Sequence, residues 1–256
     1  MTATQTFNAV VSNEEWVHAR RALLEEEKAF TRQRDELSRK RRELPCGKVE
    51  KNYVFDGPEG SVTLSDLFAG RNQLMIYHFM FGPDRAQGCP SCSMVADNID
   101  GALVHLEHRD TTLAMVSRAP IGKIEAFRKR MGWGCRWVSS CGNSFNRDCS
   151  VSFTKKEKAK GEVYYNFEVT PSESEEKQGV SVFYKDATGS IFQTYSAYAR
   201  GVEGLLGTYD LLDMTPKGRD EEQFPFPMGW LRHHDRYPET ETANSGRTCC
   251  HTTESL

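Results

Sequence analysis

The sequence predicts an α/β fold, a central mixed sheet flanked by helices, with a long N-terminal helical arm. Two nearly apolar runs of strand length, Asn72–Phe81 and Thr111–Ser117, alternate with helix-like segments, as is typical of parallel strands joined by crossover helices. Val180–Lys185 and Ser190–Tyr195 flank the turn sequence DATG and predict an antiparallel hairpin. Asn13–Leu44 is highly charged and contains neither proline nor glycine, so it predicts one long helix.

The arm is expected to span residues 1–45, with Asn13 as the N-cap of its helix and Pro45 just beyond its end. Apolar residues recur every seven positions, and charged residues fill the face between them, so one narrow apolar stripe is available for burial. The stripe consists of Trp16, Leu23, Phe30, Leu37 and Leu44. It predicts packing on the chain's own domain or on a second copy, and a homodimer through the arm is therefore an expectation.

The remaining domain is expected to span residues 46–237. Its further predicted elements are a strand at Lys51–Asp56, helices at Ser93–His108 and Ile121–Met131, a strand at Arg136–Ser140 and a short helix near Val202–Leu212. The charge-rich stretch Lys155–Gly179 is expected to be an insertion with some disorder. Residues 238–256 are polar, which predicts a flexible tail.

Composition limits the classes of function. The formal net charge is −3, so no overall basic field indicates nucleic-acid binding. The longest apolar runs are far shorter than a membrane span, and the mean hydropathy is −0.61. The first residues show no basic and apolar signal segment, so a cytoplasmic location is expected, with most of the eight cysteines present as free thiols.

The most informative motif is a CxxC pair, Cys89 and Cys92, within the stretch FGPDRAQGCPSC. It follows a predicted strand and precedes a predicted helix. The first turn of a helix leaves backbone N–H groups unpaired and its dipole favours negative charge, so a thiolate is stabilised there. The pattern predicts a redox dithiol in which Cys89 attacks and Cys92 resolves. A metal site, or two small buried side chains, are the other interpretations.

A parallel β–α–β unit followed by an antiparallel hairpin and a last helix is the thioredoxin-like order of elements. The CxxC pair follows the first crossover strand, where that fold carries its reactive cysteine. Thioredoxin itself has a cis-proline before the strand that faces the CxxC. In this sequence Gly179 opens that strand and the nearest upstream proline is Pro171, which departs from the thioredoxin pattern.

Several segments together resemble the domain-of-unknown-function 899 family, whose members are thioredoxin-like. They are YHFMFGP, CPSCS, VSRAP, RMGW, WVSS, SVFYKD, TYSAYARG and HHDRY. The likeness runs from about Glu14 to Tyr237 and includes the helical arm. It implies the fold and the CxxC, and it implies no known substrate.

Further cysteines depart from the family pattern: Cys135, Cys141, Cys149, and the adjacent pair Cys249–Cys250. Small buried side chains are the favoured interpretation of the first three, with a relay or a ligand set as the alternative. The pair in the tail is a candidate electron shuttle to the CxxC.

The leading functional prediction is a thiol–disulfide oxidoreductase without a cofactor. Its partners would be a protein or small-molecule disulfide or thiol as substrate and a protein that supplies reductant. A peroxiredoxin-like thiol peroxidase is the second interpretation. It needs a Thr and an Arg beside the thiolate. Ala86 occupies the position three before Cys89, and Arg118 is the candidate for the charge.

Two interpretations from other classes stay open. Copper(I) binding would use Cys89 and Cys92 with a third ligand, since soft thiolates select that ion. The candidate third ligands are His78, His233 and His234, and His78 is also a candidate supporting residue of the redox site. The other interpretation is a non-catalytic scaffold that docks a partner through the arm. Tyr195, Tyr198 and Arg200 are candidates for lining a pocket beside the CxxC.

Overall fold

The computed structural model describes residues 8–238 of the chain, which divides into two compact units between Cys46 and Gly47. The first unit contains α1, Asn13–Arg42. Its N-cap is Ser12 and not Asn13, because Ser12 and Glu15 form a capping box. The Ser12 hydroxyl accepts from the Glu15 N–H, and the Glu15 carboxylate accepts from the Ser12 N–H at 2.9 Å.

The second unit is built on one eight-stranded mixed sheet and a separate two-stranded hairpin. The strands are β1 (Gly47–Lys48), β2 (Val54–Gly57), β3 (Gly60–Thr63), β4 (Gln73–His78), β5 (Thr111–Ser117), β6 (Arg136–Ser139), β7 (Glu162–Tyr165), β8 (Glu168–Pro171), β9 (Gly179–Lys185) and β10 (Ile191–Tyr198). The large sheet has the order β1-β10-β9-β4-β5-β6-β2-β3, and β7 and β8 form the hairpin.

The helices of this unit are α2 (Pro90–Asp100), α3 (Leu103–Glu107), α4 (Ile121–Met131), α5 (Phe145–Asp148), α6 (Lys155–Ala159) and α7 (Gly207–Asp213). Short 3-10 turns cover Asp66–Phe68, Ala199–Leu205 and His234–Arg236. Within residues 8–238, no helix combines the length and the apolar character needed to cross a bilayer.

Strand order and direction make the fold thioredoxin-like. Strands β10, β9, β4 and β5 are neighbours in that order. Strand β4 pairs in parallel with β5 and antiparallel with β9, and β9 pairs antiparallel with β10. Helix α2 crosses from β4 to β5, and β6 adds in parallel beyond β5. The predicted central mixed sheet flanked by helices is confirmed.

The predicted strand Thr111–Ser117 and the predicted helix Ile121–Met131 are confirmed to the residue. The predicted helix Ser93–His108 is wrong: it is two helices that meet at Gly101 and Ala102. Glycine is a poor helix former, so the chain turns there. Helix α2 also begins earlier than predicted, at Pro90, which suits a first helical position because its missing N–H needs no partner there.

The expectation of disorder in Lys155–Gly179 is also wrong. This segment contains α6, with a capping box between Thr154 and Glu157, and then the β7–β8 hairpin. Val163 and Tyr165 alternate inward from β7 and are buried, so the hairpin packs on the domain. The Tyr165 hydroxyl donates to the Gln178 carbonyl at 2.8 Å and accepts from the Ala199 N–H at 2.8 Å.

The sheet separates two apolar clusters. Along β4, Leu74 and Ile76 face one cluster, whereas Tyr77 faces the other, as side chains alternate along a strand. The cluster on the α2 side contains a group of aromatic rings. Phe79 and Trp137 lie at its centre, with ring centroids 4.5 Å apart. Phe127 of α4 lies 6.4 Å from the Phe79 ring and closes the group beneath the CxxC loop.

The CxxC loop packs closely on the aromatic rings at Gly88. A Cβ at Gly88 would lie 2.6 Å from Phe79 Cε1 and 2.8 Å from Phe127 Cε1, and both rings are buried. We therefore expect Gly88→Ala to lower the free energy of unfolding by about 1–3 kcal/mol, the usual cost of overpacking a core. Gly101→Ala is the control, because nothing lies within 4 Å of its Cβ position. Urea unfolding measures both, and equal stabilities would contradict the packing described.

Candidate functional site

The CxxC pair lies at the start of α2, in the loop that leaves the carboxyl end of β4. Cys89 is the N-cap residue, with extended backbone angles (φ −62°, ψ 131°), and Pro90 is the first helical residue. Cys89 is partly exposed and Cys92 is fully buried. Both thiols are free. The predicted strand–CxxC–helix arrangement is therefore what the structure contains.

The environment of Cys89 favours its thiolate. Its pKa is lowered to about 6, first by a hydrogen bond from the Cys92 thiol and then by the backbone N–H groups of Cys92 and Ser91. Burial acts in the opposite direction and is outweighed. Those N–H groups belong to the first turn of α2, where the helix leaves donors unpaired and directs its positive end. Cys89 is thus mostly ionised at neutral pH.

Cys92 has the opposite character. Burial is the main cause that raises the pKa of its thiol well above the ordinary value, and the neighbouring Cys89 adds to the effect. The Met80 N–H approaches the Cys92 sulfur at 3.4 Å, and the Tyr77 hydroxyl also donates to it. Tyr77 is itself fully buried, so its pKa is raised and it keeps its proton. Cys92 therefore remains a protonated thiol held by donors.

The loop before Cys89 is fixed by the end of the described chain. His233 Nε2 donates to the Gly88 carbonyl at 2.9 Å, and Arg130 of α4 donates to Gln87 at 2.8 Å. Arg130 also forms a two-point ion pair with Asp235, at 2.7 and 2.8 Å. The motif HHDRY thus clamps the loop, a role that the sequence analysis missed. The only sequence signal for this role is the concentration of polar residues in the short HHDRY segment.

His234 completes this clamp, and its hydrogen-bond partner is a carboxylate and not a thiol. Its Nδ1 lies 2.7 Å from the Asp97 carboxylate on α2. His78 also fails to join the CxxC pair, because Tyr77 points to Cys92 and His78 therefore points to the opposite face of the sheet. There it bonds Ser181 at 2.8 Å and lies against Phe145. Among residues 8–238, no group of three His, Cys, Asp or Glu side chains is arranged to hold a metal ion.

A cleft of about 610 Å³ opens beside Cys89. One wall is the loop that contains Gly82 and Arg85. The other wall comes from the Lys155–Gly179 insertion, through Lys158 and the acidic run Glu173–Glu176. The Lys155–Gly179 insertion, predicted to be partly disordered, therefore forms half of the site.

Arg118, predicted as a supporting residue, contacts two residues of the acidic run that lines this cleft. Its Nε lies 3.6 Å from Glu176 Oε1, and its Nη1 donates to the Glu175 carbonyl at 3.4 Å. The Glu176 carboxyl lies in the same cleft as Cys89, and burial raises its pKa to about 7. No sequence pattern indicated Glu176, because its importance comes from burial and not from spacing.

A second cavity of about 470 Å³ lies on the other side of the pair, against Cys92. It is mainly apolar and is lined by Tyr77, Val95 and Leu206 among others. Of the three residues predicted to line a pocket here, Arg200 does so. The Tyr198 hydroxyl instead donates to the Cys149 carbonyl at 3.0 Å, within the cluster on the opposite face, and Tyr195 packs against the cluster on the α2 side.

Cys135, Cys141 and Cys149 are free thiols and form no disulfide with the CxxC pair. Cys135 and Cys149 are buried, and burial raises the pKa of each thiol to about 12, so both behave as small core side chains. Cys141 is exposed in the loop after β6. The tail pair Cys249–Cys250 lies outside the described residues.

The fold and the site define a thioredoxin-like protein with an accessible acidic thiol beside a buried one. The chain matches the family described as "Bacterial protein of unknown function (DUF899)" over residues 5–237, and it belongs to that family. No curated protein sequence matches it.

Among solved structures, the chain is similar to peroxidoxin BcpB from Mycobacterium tuberculosis. The identity is 13% and the TM-score 0.45, over 64% of this chain and 95% of that one. A variant of peroxiredoxin Q from Xanthomonas campestris shares 12% identity with a TM-score of 0.41, over 63% of this chain and 90% of that one.

The difference between the two thiols is measurable by alkylation. With a pKa of about 6, Cys89 should react with iodoacetamide at a rate that is already near its plateau at pH 7. A free cysteine peptide, whose thiol has a pKa near 8.5, continues to accelerate to about pH 9 and is the reference. Mass spectrometry after short pulses locates the label. Labelling of Cys92 before Cys89 would contradict the site described.

Burial of neutral His78 predicts a loss of stability in acid. Its pKa falls from 6.5 to about 3 because of burial. As the pH falls from 6.5 towards 3, unfolded His78 takes up a proton that the folded residue does not, so folding loses at most about 5 kcal/mol. His78→Asn should therefore give a shallower decline of stability between pH 6.5 and 4, measured by urea unfolding. His105→Asn, an exposed control, should keep the wild-type slope. Identical slopes in all three proteins would contradict the prediction.

Proposed function

We propose that this protein is a thiol–disulfide oxidoreductase in which Cys89 is the nucleophile and Cys92 resolves the mixed disulfide. The observation that supports this most strongly is the contrast between the two thiols. Cys89 opens into a cleft and favours its thiolate, whereas Cys92 is buried beneath it and keeps its proton. A pair built in this way separates the attacking step from the resolving step.

The reaction balances without a cofactor. The Cys89 thiolate attacks a substrate disulfide, R–S–S–R′, forming Cys89–S–S–R and releasing R′–S⁻. The Cys92 thiol then loses its proton and attacks the Cys89 sulfur, so R–S⁻ leaves and a Cys89–Cys92 disulfide remains. The substrate has been reduced by two electrons and the pair oxidised by two. A dithiol partner protein returns the pair to the reduced state.

The low pKa of Cys89 also suits it as a leaving group. A thiol with a low pKa leaves faster in thiol–disulfide exchange. A dithiol reductant attacks the accessible Cys89 sulfur and releases Cys92, and Cys89 then leaves as a thiolate when the second thiol of the reductant attacks the mixed disulfide. The helix N-terminus that stabilises the attacking thiolate thus stabilises the same thiolate when it is released. The N-terminus of α2 therefore favours both the oxidation and the reduction of the pair.

The other interpretations from the sequence have less structural support. For a peroxidase, Arg118 would need to orient a peroxide, but its guanidinium faces Glu176 and the Glu175 carbonyl. For copper(I), the hydrogen-bond partners of His78, His233 and His234 are Ser181, the Gly88 carbonyl and Asp97, and none of these is a cysteine sulfur. Thiol exchange needs only the two cysteines and their surroundings.

A redox titration tests the proposal directly. We expect the Cys89–Cys92 pair to form a disulfide reversibly at a potential between about −300 and −120 mV, the range of known dithiol oxidoreductases. Alkylation followed by mass spectrometry reads the state of each thiol. If the pair resists oxidation and alkylation until a chelator is added, the pair is a metal site and the exchange mechanism is wrong.

Single substitutions separate the roles of the two cysteines. Cys92→Ser should trap the mixed disulfide of Cys89 with a small disulfide, because the resolving thiol is gone, whereas Cys89→Ser should form none at the CxxC. Cys141→Ser is the control, since its exposed thiol lies outside the pair. Intact mass spectrometry reports the adducts. A scaffold would keep its binding partner after Cys89→Ser, so a cellular phenotype unchanged by that substitution would favour the scaffold interpretation.

A further inference from the structure

We propose that Glu176 is the general acid of the Cys89 cleft, protonating the thiolate that leaves when Cys89 attacks a disulfide. The inference rests on the thiol exchange proposed above and deepens it. It assigns a role to a buried carboxyl that lies in the cleft and that the exchange mechanism has not used.

The backbone holds Glu176 in place from both sides. Glu176 forms an isolated β-bridge with Ser152. The Phe153 N–H donates to the Glu175 carbonyl at 3.1 Å, and the Lys177 N–H donates to the Val151 carbonyl at 3.0 Å. These bonds attach the end of the insertion to the segment after α5. The carboxyl is thus carried on a fixed backbone and not on a free loop.

The side chain is buried and incompletely paired. It is 14% exposed, and its Oε1 is fully covered without a hydrogen-bond partner among the described residues. The nearest cation, the Arg118 guanidinium, lies 3.6 Å away, which is beyond a normal hydrogen bond. Gly82 permits this placement, because a Cβ there would lie 3.3 Å from Oε1. Burying an ionised carboxylate with an unpaired oxygen is costly, and this cost favours the protonated form.

Charges of both signs lie around Glu176, and burial has the largest effect on its state. Arg118 and Arg85 lower its pKa, Glu175 and the Cys89 thiolate raise it, and burial is the largest cause of the rise to about 7. The cleft also contains Asp84, Lys158 and Glu173. Near neutral pH the carboxyl therefore exists in both protonated and ionised forms, and the protonated form can act as a general acid.

Neighbouring Glu175 lacks these properties although it lines the same cleft. Its carboxylate bonds Lys158 at 2.8 Å, and this ion pair lowers its pKa. It therefore stays ionised at neutral pH and has no proton to give. The two adjacent glutamates differ because one is exposed and paired with an ammonium group, whereas the other is buried.

The proposed proton transfer balances. When the Cys89 thiolate displaces R′–S⁻ from a disulfide, the Glu176 carboxylic acid gives its proton to that sulfur, yielding R′–SH and a carboxylate. In the second step Cys92 gives its proton to solvent and the released R–S⁻ takes up one from solvent, so that step involves no net proton change. Glu176 regains its own proton from solvent. A basic leaving thiolate needs this proton, and an acidic one does not.

The test is Glu176→Gln with two disulfides at pH 7. One is bis(2-hydroxyethyl) disulfide, whose leaving thiol is basic, and the other is an aromatic nitrobenzoate disulfide, whose leaving thiol is acidic. We expect the reaction with the first to slow by about 100-fold, at the lower end of general acid catalysis. The reaction with the second should stay within about twofold, since it needs no proton. Glu162→Gln, an exposed carboxyl on β7, should change neither rate.

The rate at which iodoacetamide alkylates Cys89 is a second measurement, and it does not require exchange activity. In Glu176→Gln the plateau at pH 7 should persist, because removing a nearby negative charge does not weaken the thiolate. Gly82→Ala is the second variant; it displaces the carboxyl without removing it, and should slow only the reaction with the basic leaving group, by a smaller factor.

The outcomes are distinct. Equal slowing with both disulfides, or slowing with neither, would overturn the role of Glu176 while leaving thiol exchange intact. A wild-type protein whose Cys89 alkylates normally but exchanges with neither disulfide would overturn the proposed function and the role of Glu176 with it.

Discussion

The thiol site depends on the close contact between Gly88 and the rings of Phe79 and Phe127. The chain must pass from the carboxyl end of β4 into α2 directly over a buried aromatic group, and only a residue without a side chain fits between them. This contact fixes where the next residue lies. Cys89 therefore becomes the N-cap of α2, where the backbone donors of the helix meet its sulfur. Without that contact, neither the acidity of Cys89 nor its orientation towards the cleft would follow.

The two cysteines differ in their burial, although they are close in sequence. They lie three residues apart on the first turn of one helix, yet one lies at the cleft wall and the other within the core. The same reasoning distinguishes Glu175 from Glu176. In both pairs, burial raises the pKa of one neighbour, whereas hydrogen bonds to Cys89 or the Lys158 ion pair of Glu175 lower the pKa of the other. The site is thus a product of burial acting on common residue types.

The sequence was sufficient for the architecture and for the position of the dithiol. Apolar runs such as Thr111–Ser117 and the turn DATG carry local signals, so the parallel strands and the hairpin could be predicted. The ordered insertion could not, because its two buried side chains, Val163 and Tyr165, stand among charges that resemble a solvated loop. Glu176 and His233 could not either, since each gains its role from partners more than 50 residues away.

The clamp at the end of the domain has a consequence for the order of events during synthesis. Gly88 is held by His233, which follows it by 145 residues, and Asp97 by His234. A chain emerging from the ribosome displays its CxxC loop long before these histidines exist, and domains fold as units during synthesis. The loop is therefore anchored only when the last part of the domain has emerged. Assembly of the thiol site is delayed until the rest of the domain is present to enclose it.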